Sequence, residues 1–253
     1  MTGNPTADLL TIHNLSKGYR MGSQTLSVLN GFSLQVAEGE MVAIMGPSGS
    51  GKTTLLNAIA GIDPPDEGSI ALRGERIDMS SERRRTTLRR HDIGIVFQFF
   101  NLLPALTVRE NVHLPLLVQS FRDHAHRREE VEAMLARIGL AARADHYPAQ
   151  LSGGEMQLVS IARALIHQPA MVLADEPTGN VNPAAGRAIM RILRATVKER
   201  RTGLILVTHS PEHAAWADRI GFLQEGRIVD FLTHDGAAED AAPIHRKLLE
   251  LGI

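Results

Sequence analysis

The chain has 253 residues, with 27 Lys and Arg against 28 Asp and Glu for a formal net charge of −1, 43% hydrophobic residues and no cysteine. The length allows one large domain or two small ones with a sizeable core, the missing cysteine excludes disulfides and thiolate metal sites, and the neutral balance gives no global basic field for nucleic acid. No apolar run approaches the ~18 residues of a membrane span and the N-terminus lacks the pattern of a signal peptide, so the chain is expected to stay in the cytoplasm and to meet a membrane only through a partner.

From Leu9 to about Leu34, short β-like pieces alternate with turn residues at Gly18, Gly22-Ser23 and Asn30-Gly31, which predicts an antiparallel sheet. Glu38-Gly39-Glu40 then turns into the apolar strand Met41–Met45. Gly46-Pro47-Ser48-Gly49-Ser50-Gly51-Lys52-Thr53-Thr54 follows directly, and a helix continues through Leu55, Leu56 and Ile59. In that strand–loop–helix order, Gly-x-x-x-x-Gly-Lys-Ser/Thr reads as a phosphate-binding loop. Glycines let the backbone curl with its N–H groups inward, and the helix start adds unpaired donors and the positive end of its dipole. Lys52 then lies along the β- and γ-phosphates, and Thr53 offers its hydroxyl to Mg²⁺.

Pro64-Pro65-Asp66-Glu67-Gly68 breaks the chain before a strand pair near Ser69–Leu72 and Arg76–Ile77. An arginine-rich helix, read as a solvated face, runs from about Ser81 to Arg90, and Ile93–Phe97 reads as a buried strand. From Leu102 to about His167 the pattern is helical, with periodic segments near Val108–Gln119, Arg127–Ile138 and Gly154–Ile166. His124 and His126 are read as an exposed helix face rather than a metal pair. Leu151-Ser152-Gly153-Gly154-Glu155 opens the last of these helices and forms a second helix N-terminus with free donors, hence a second anion site. One phosphate loop satisfies one nucleotide, which directs this site to the nucleotide of another subunit; a plain helix cap is the alternative.

Strand character returns at Met171–Ala174 and closes on Asp175-Glu176, two carboxylates at the sheet edge where open α/β folds bind ligands. Beside a phosphate loop, Asp175 holds Mg²⁺ directly or through water and Glu176 polarises the water that attacks the γ-phosphate. A solvated acidic pair is the alternative. A long helix from Pro183 to about Arg201, the strand Leu204–Val207, a helix near Pro211–Trp216 and a hairpin at Ile220–Val229 turning on Glu225-Gly226 complete the reading. Strand-then-helix alternation with a helical insertion predicts an α/β core carrying an α lobe.

Taken together, these motifs resemble those of the ATPase subunits of ATP-binding-cassette (ABC) transporters, over nearly the full chain. The matching pieces are the Walker A loop Gly46–Thr54, Gln98 after Phe97, the signature Leu151–Gln157, the Walker B strand Met171–Asp175 with Glu176, and His209 after Leu206-Val207-Thr208. The resemblance implies an α/β P-loop NTPase fold with a RecA-like core, an N-terminal antiparallel β subdomain and an inserted α-helical subdomain at about residues 99–165, in one ATPase domain over 1–253. It also implies Mg²⁺-dependent hydrolysis of ATP to ADP and phosphate, in a head-to-tail homodimer or pseudo-symmetric dimer. Each ATP then lies between one subunit's Walker A and the other's signature residues Ser152, Gly153, Gly154 and Glu155. An integral membrane permease subunit at the cytoplasmic face of the inner membrane is the implied partner. Gln98 is expected to reach Mg²⁺ and the attacking water, His209 the γ-phosphate, and Tyr19 the adenine ring; a packed sheet residue is the alternative for Tyr19.

The stretches Phe97–Pro104, Thr107–Val112, Leu114–Leu116 and Ala174–Asn180 are similar to the group serving lipoprotein release, macrolide-type export and antimicrobial-peptide resistance. Phe97, Phe99 and Phe100 are read there as core or as lining for a partner's coupling helix. Importer ATPases and non-transport ABC ATPases are the alternatives. Two departures stand out: Asn182 where the family usually has aspartate in the loop crossing the dimer interface, and Met156 and Leu158 where polar residues are usual.

Overall fold

The computed structural model describes residues 8–22, 24–119, 124–234 and 240–253, with the side chains of Met21, His124, Ala125 and His126 outside that set. Two long antiparallel strands, β1 (Asp8–Met21) and β2 (Gln24–Ala37), open the fold. The several short pieces expected here are thus corrected to two strands. Register shifts between Ile12 and Gly18 absorb residues that read locally as turns, so Gly18, Asn30 and Gly31 lie inside strands. Of the turn expected at Gly22-Ser23, Gly22 has φ +64° and Ser23 lies outside the described residues.

After β3 (Met41–Met45) and α1 (Lys52–Ile59) come β4 (Glu67–Leu72), β5 (Glu75–Arg76), α2 (Glu82–His91) and β6 (Ile93–Val96). The helical stretch holds α3 (Val108–Gln119), α4 (His124–Arg137) and α5 (Gly153–Leu165). Then follow β7 (Met171–Asp175), α6 (Pro183–Arg200), β8 (Gly203–Val207), a one-turn α7 (Pro211–Ala214), the hairpin β9 (Arg219–Gln224) and β10 (Arg227–Thr233), and α8 (Ala242–Leu251). Strand β4 starts inside the expected breaker at Glu67, and α8 has no counterpart among the expected elements.

Two sheets result, one antiparallel in the order β2-β1-β4-β5 and one in the order β10-β9-β3-β8-β7-β6. In the second, β9, β3, β8, β7 and β6 run parallel and β10 closes the edge antiparallel. Strands β3 and β8 are buried at every residue, as a parallel sheet covered on both faces requires. Alternation along the strands then divides their side chains between two cores. Met41, Ala43, Val172 and Leu206 face a core shared with α3 to α6, whereas Val42, Ile44, Leu173 and Ile205 face α1 and the antiparallel sheet.

Met156 and Leu158, the unusual residues after the signature, pack partly buried against the first core. Asn111 of α3 is fully buried. Its amide donates to the carbonyls of Leu103, Leu106 and Thr107 and accepts from Leu103 N–H at 2.8 Å, which shapes the loop leading into the helix. Among the described residues no helix is long and apolar enough to cross a membrane.

Candidate active site

Parallel strands put all their C-terminal ends on one edge, and here four neighbours in the order β3, β8, β7, β6 deliver four motifs side by side. The glycine-rich loop leaves β3, Thr208-His209 leaves β8, Asp175-Glu176 ends β7, and Gln98 follows β6. This is the crevice at which open α/β sheets take ligands.

The loop from Gly46 to Thr54 depends on its glycines. A Cβ on Gly46 would lie 2.2 Å from the Leu223 carbonyl oxygen, and Gly51 has φ +101° with Val28 O packed against it. Pro47, Ser48 and Gly49 are exposed, while Ser50 is buried and its N–H donates to Pro47 O at 3.2 Å. Helix α1 begins at Gly51 with no side-chain cap and no acidic residue in its first turn. Its first N–H groups therefore remain available to an anion.

Lys52 Nζ folds over the loop and donates to Gly46 O at 2.9 Å and Pro47 O at 2.8 Å. Burial lowers its pKa, against the opposing pull of the Glu176 and Asp175 carboxylates. Thr53 Oγ1 donates to Asp175 Oδ2 at 3.0 Å and so joins the loop to β7. Burial pushes the Asp175 carboxyl up, with the Thr53 hydroxyl and Lys52 pulling the other way. A partly buried carboxylate beside a hydroxyl is a hard-oxygen donor pair that a divalent cation would stabilise. It fits Mg²⁺, which takes one or two protein oxygens and completes its shell with water and phosphate.

Glu176 has a left-handed backbone, φ 44°, and its N–H donates to Val207 O at 2.9 Å. One carboxylate oxygen meets His209 Nδ1 at 2.7 Å and the other accepts from Thr208 Oγ1 at 3.3 Å. Thr208 is fully buried and also takes the Ser210 N–H at 3.1 Å. Thr178 Oγ1 pairs with His213 Nδ1 at 2.9 Å, which ties the segment after Glu176 to α7. The sequence gives little sign of these supporting roles for Thr208, Thr178 and His213, beyond a threonine adjoining the expected histidine.

Gln98 is half-buried, and the Asn180 side chain donates to its carbonyl at 2.8 Å. Its own amide makes no hydrogen bond to Thr53, Asp175 or Glu176 among the described contacts. Tyr19 lies on β1, where its hydroxyl donates to Asp63 Oδ2 at 2.6 Å and its ring carries Lys17 Nζ at 5.5 Å from the centroid. Tyr19 is 37% exposed. Burial and the Asp63 bond raise its phenol pKa, with the Thr54 hydroxyl pulling the other way.

Ser152 caps α5 in a complete capping box: its Oγ accepts from Glu155 N–H at 3.3 Å, and its own N–H donates to Glu155 Oε2 at 2.8 Å. Gly153 lies against Asn180 O and Gly154 against Ala185, so a Cβ at either position would be tightly placed. No described hydrogen bond or ion pair links Ser152–Glu155 to the glycine-rich loop of the same chain. The structure brings together Lys52, Thr53, Asp175, Glu176 and His209, while Gly153 and Gly154 of the signature pack against Asn180 and Ala185. Asn182 accepts from Ala185 N–H at 2.9 Å and caps α6.

Residues 29–179 match the family described as ABC transporter. The chain is 44% identical over 222 residues to the lipoprotein-releasing system ATP-binding protein LolD of Pseudomonas syringae pv. tomato, covering 88% of this chain and 97% of that one. LolD of Bordetella pertussis is 44% identical over 226 residues, covering 89% and 97%. Among solved structures, the dimeric post-hydrolysis state of the ATP-binding cassette MJ0796 bound to ADP and Pi superposes with TM-score 0.83 at 38% identity, covering 88% and 98%. CbiO1 of Clostridium perfringens, part of the ABC transporter complex cbiONQ, gives 0.81 at 28% identity, covering 97% and 96%.

Proposed function

The chain belongs to the ABC transporter family as an ATP-binding, ATP-hydrolysing subunit, and we propose that it drives a membrane complex that releases or exports an envelope substrate, of the lipoprotein-release type. The observation that carries the site assignment is the Thr53–Asp175 contact beside the Glu176–His209 pair, which gathers loop, acidic strand end and histidine in one cleft. In this reading Lys52 and the open start of α1 grip the β- and γ-phosphates, and Tyr19 lies against adenine. Thr53, Asp175 and Gln98 hold Mg²⁺, which when bound neutralises the phosphate oxygens. Glu176, held by His209 and Thr208, polarises the attacking water, and His209 reaches the γ-phosphate.

The whole chain acts as one ATPase domain whose helical subdomain runs from about residue 99 to 165. The second half of each site is Ser152–Glu155 of a second copy, in a head-to-tail dimer around two ATP. The subunit is peripheral at the cytoplasmic face of the inner membrane. Phe99 and Leu103, exposed beside Gln98, support a docking surface for the permease there, while Phe97 and Phe100 are partly buried.

Glu176→Gln keeps the shape of the cleft and removes the base. Phosphate release is expected to fall by about a hundredfold or more, and an ATP-loaded dimer is expected to accumulate on size-exclusion chromatography. A monomeric Glu176→Gln protein at saturating ATP would overturn the reading.

A further inference from the structure

The backbone from Phe97 to Asn101, which carries Gln98, has each of its five carbonyls bonded. Gln157 Nε2 donates to Phe97 O at 3.4 Å, Asn180 Nδ2 to Gln98 O at 2.8 Å, and Asn101 N to Phe99 O. The last two belong to one guanidinium: Arg163 donates to Phe100 O at 3.0 Å and to Asn101 O at 2.6 Å. Phe100 and Asn101 are both left-handed, with φ 42° and 51°, a conformation that asparagine tolerates but that a bulky phenylalanine holds only when its surroundings impose it. Arg163 lies on α5, the helix that begins at Ser152. Burial lowers its pKa, and no carboxylate is paired with it among the described residues. A half-buried guanidinium with no carboxylate beside it among the described residues relies on hydrogen bonds instead, and its two carbonyl partners supply them.

We propose that Arg163 is a positioning residue for ATP hydrolysis: its fork locks the turn after Gln98 onto α5, so that Gln98 and Ser152 move as one body. From Gly153 to Arg163 the helix is a rod about 15 Å long, and Gln157 adds a second grip on the other side of Gln98. Gln98 drawn toward a bound nucleotide therefore displaces the start of α5 instead of flexing its own loop. Asn180, bonded to Gln98 O and packed on Gly153 through its carbonyl, couples the loop after Glu176 to the same body.

This role presupposes that Gln98 and Ser152 serve the nucleotide as proposed above, and the test separates the two ideas. Arg163→Lys keeps the charge and loses the fork, since an ammonium cannot span two carbonyls in a plane. Purified full-length Arg163→Lys is expected to show a kcat for phosphate release lowered about tenfold or more, with KM for ATP within about twofold of the wild type. Because Arg163 acts through Gln98, the Arg163→Lys, Gln98→Ala double variant is expected to match Gln98→Ala alone. Additive losses in the double variant, an unchanged kcat, or an Arg163→Lys chain that does not fold by near-ultraviolet circular dichroism would each overturn the proposal, the last because it would make the contact structural. Lys52→Ala is the control. Phosphate release that persists in it sinks the site assignment itself, whereas Lys52-dependent release untouched by Arg163→Lys sinks the positioning role alone.

Discussion

Asn182 illustrates how one residue can depart from its family's usual choice without disturbing the backbone around it. Its side chain caps α6 by accepting the Ala185 N–H, with Pro183 occupying the first helical position. Asparagine and aspartate are equally good at that task, so the missing carboxylate removes charge from the loop after Glu176 and leaves the helix start intact. Asn182→Asp is expected to leave the urea midpoint unchanged, and Asn182→Ala to cost about 1 kcal/mol. Equal losses in the two variants would show that the carboxamide is not the cap. The side chains that the fold gathers in the cleft were legible at this scale, because Lys52, Thr53, Asp175, Glu176 and His209 sit in local motifs whose meaning depends on near neighbours. Thr178 and Asn180 were not, since their partners lie 35 and 82 residues away and only the folded sheet brings them into reach.

Elements are held to one another by polar junctions, and Asp218 is one of them. It accepts from Met41 N–H at the start of β3 at 2.9 Å, from both terminal nitrogens of Arg194 on α6 at 2.6 and 2.7 Å, and from Lys198 at 3.2 Å. Burial pushes the Asp218 carboxyl up, but Arg194, the Met41 N–H and Lys198 outweigh it and hold the pKa below the usual carboxylate range. The unfolded chain therefore takes up this proton first as pH falls. The stabilisation is complete above about pH 4 and is lost as pH drops through the lower folded pKa. Asp218→Asn is expected to cost about 2–3 kcal/mol at neutral pH, and its urea midpoint is expected to fall less steeply than the wild type's below about pH 4. Parallel acid limbs in the two proteins would rule the junction out as a source of acid sensitivity. The parallel strands were plain in the sequence because burial on both faces leaves short, unbroken apolar runs. Strands β1 and β2 were read as fragments because bulges mimic turns locally. Helix α8 has Ile244, Leu248 and Leu251 at helical spacing, but at ten residues its pattern is too brief to stand out before the core it covers is known.

For the molecule as a whole, the telling contrast is between its two helix starts. Helix α1 opens uncapped beside Lys52, whereas α5 is closed by its own Glu155, and no hydrogen bond or ion pair among the described residues joins it to the loop that would share its ligand. A chain that carries both halves of a site without joining them can complete the site by two-fold association, each copy lending its α5 to the other. Such pairing makes a specific demand on mixtures. Ser152→Asp keeps a good N-cap while setting a negative charge where the triphosphate is to lie, and Lys52→Ala removes the cation on the other half. Each protein alone has both of its sites damaged and is expected to release almost no phosphate. In an equimolar mixture, half of the dimers pair one of each, and every such dimer has one site with an intact Lys52 facing an intact Ser152. The mixture is expected to recover about a quarter of wild-type turnover if the two sites fire independently. If each chain instead used its own Ser152, mixing would restore nothing, and a phosphate-release assay on the two proteins and their mixture distinguishes these outcomes.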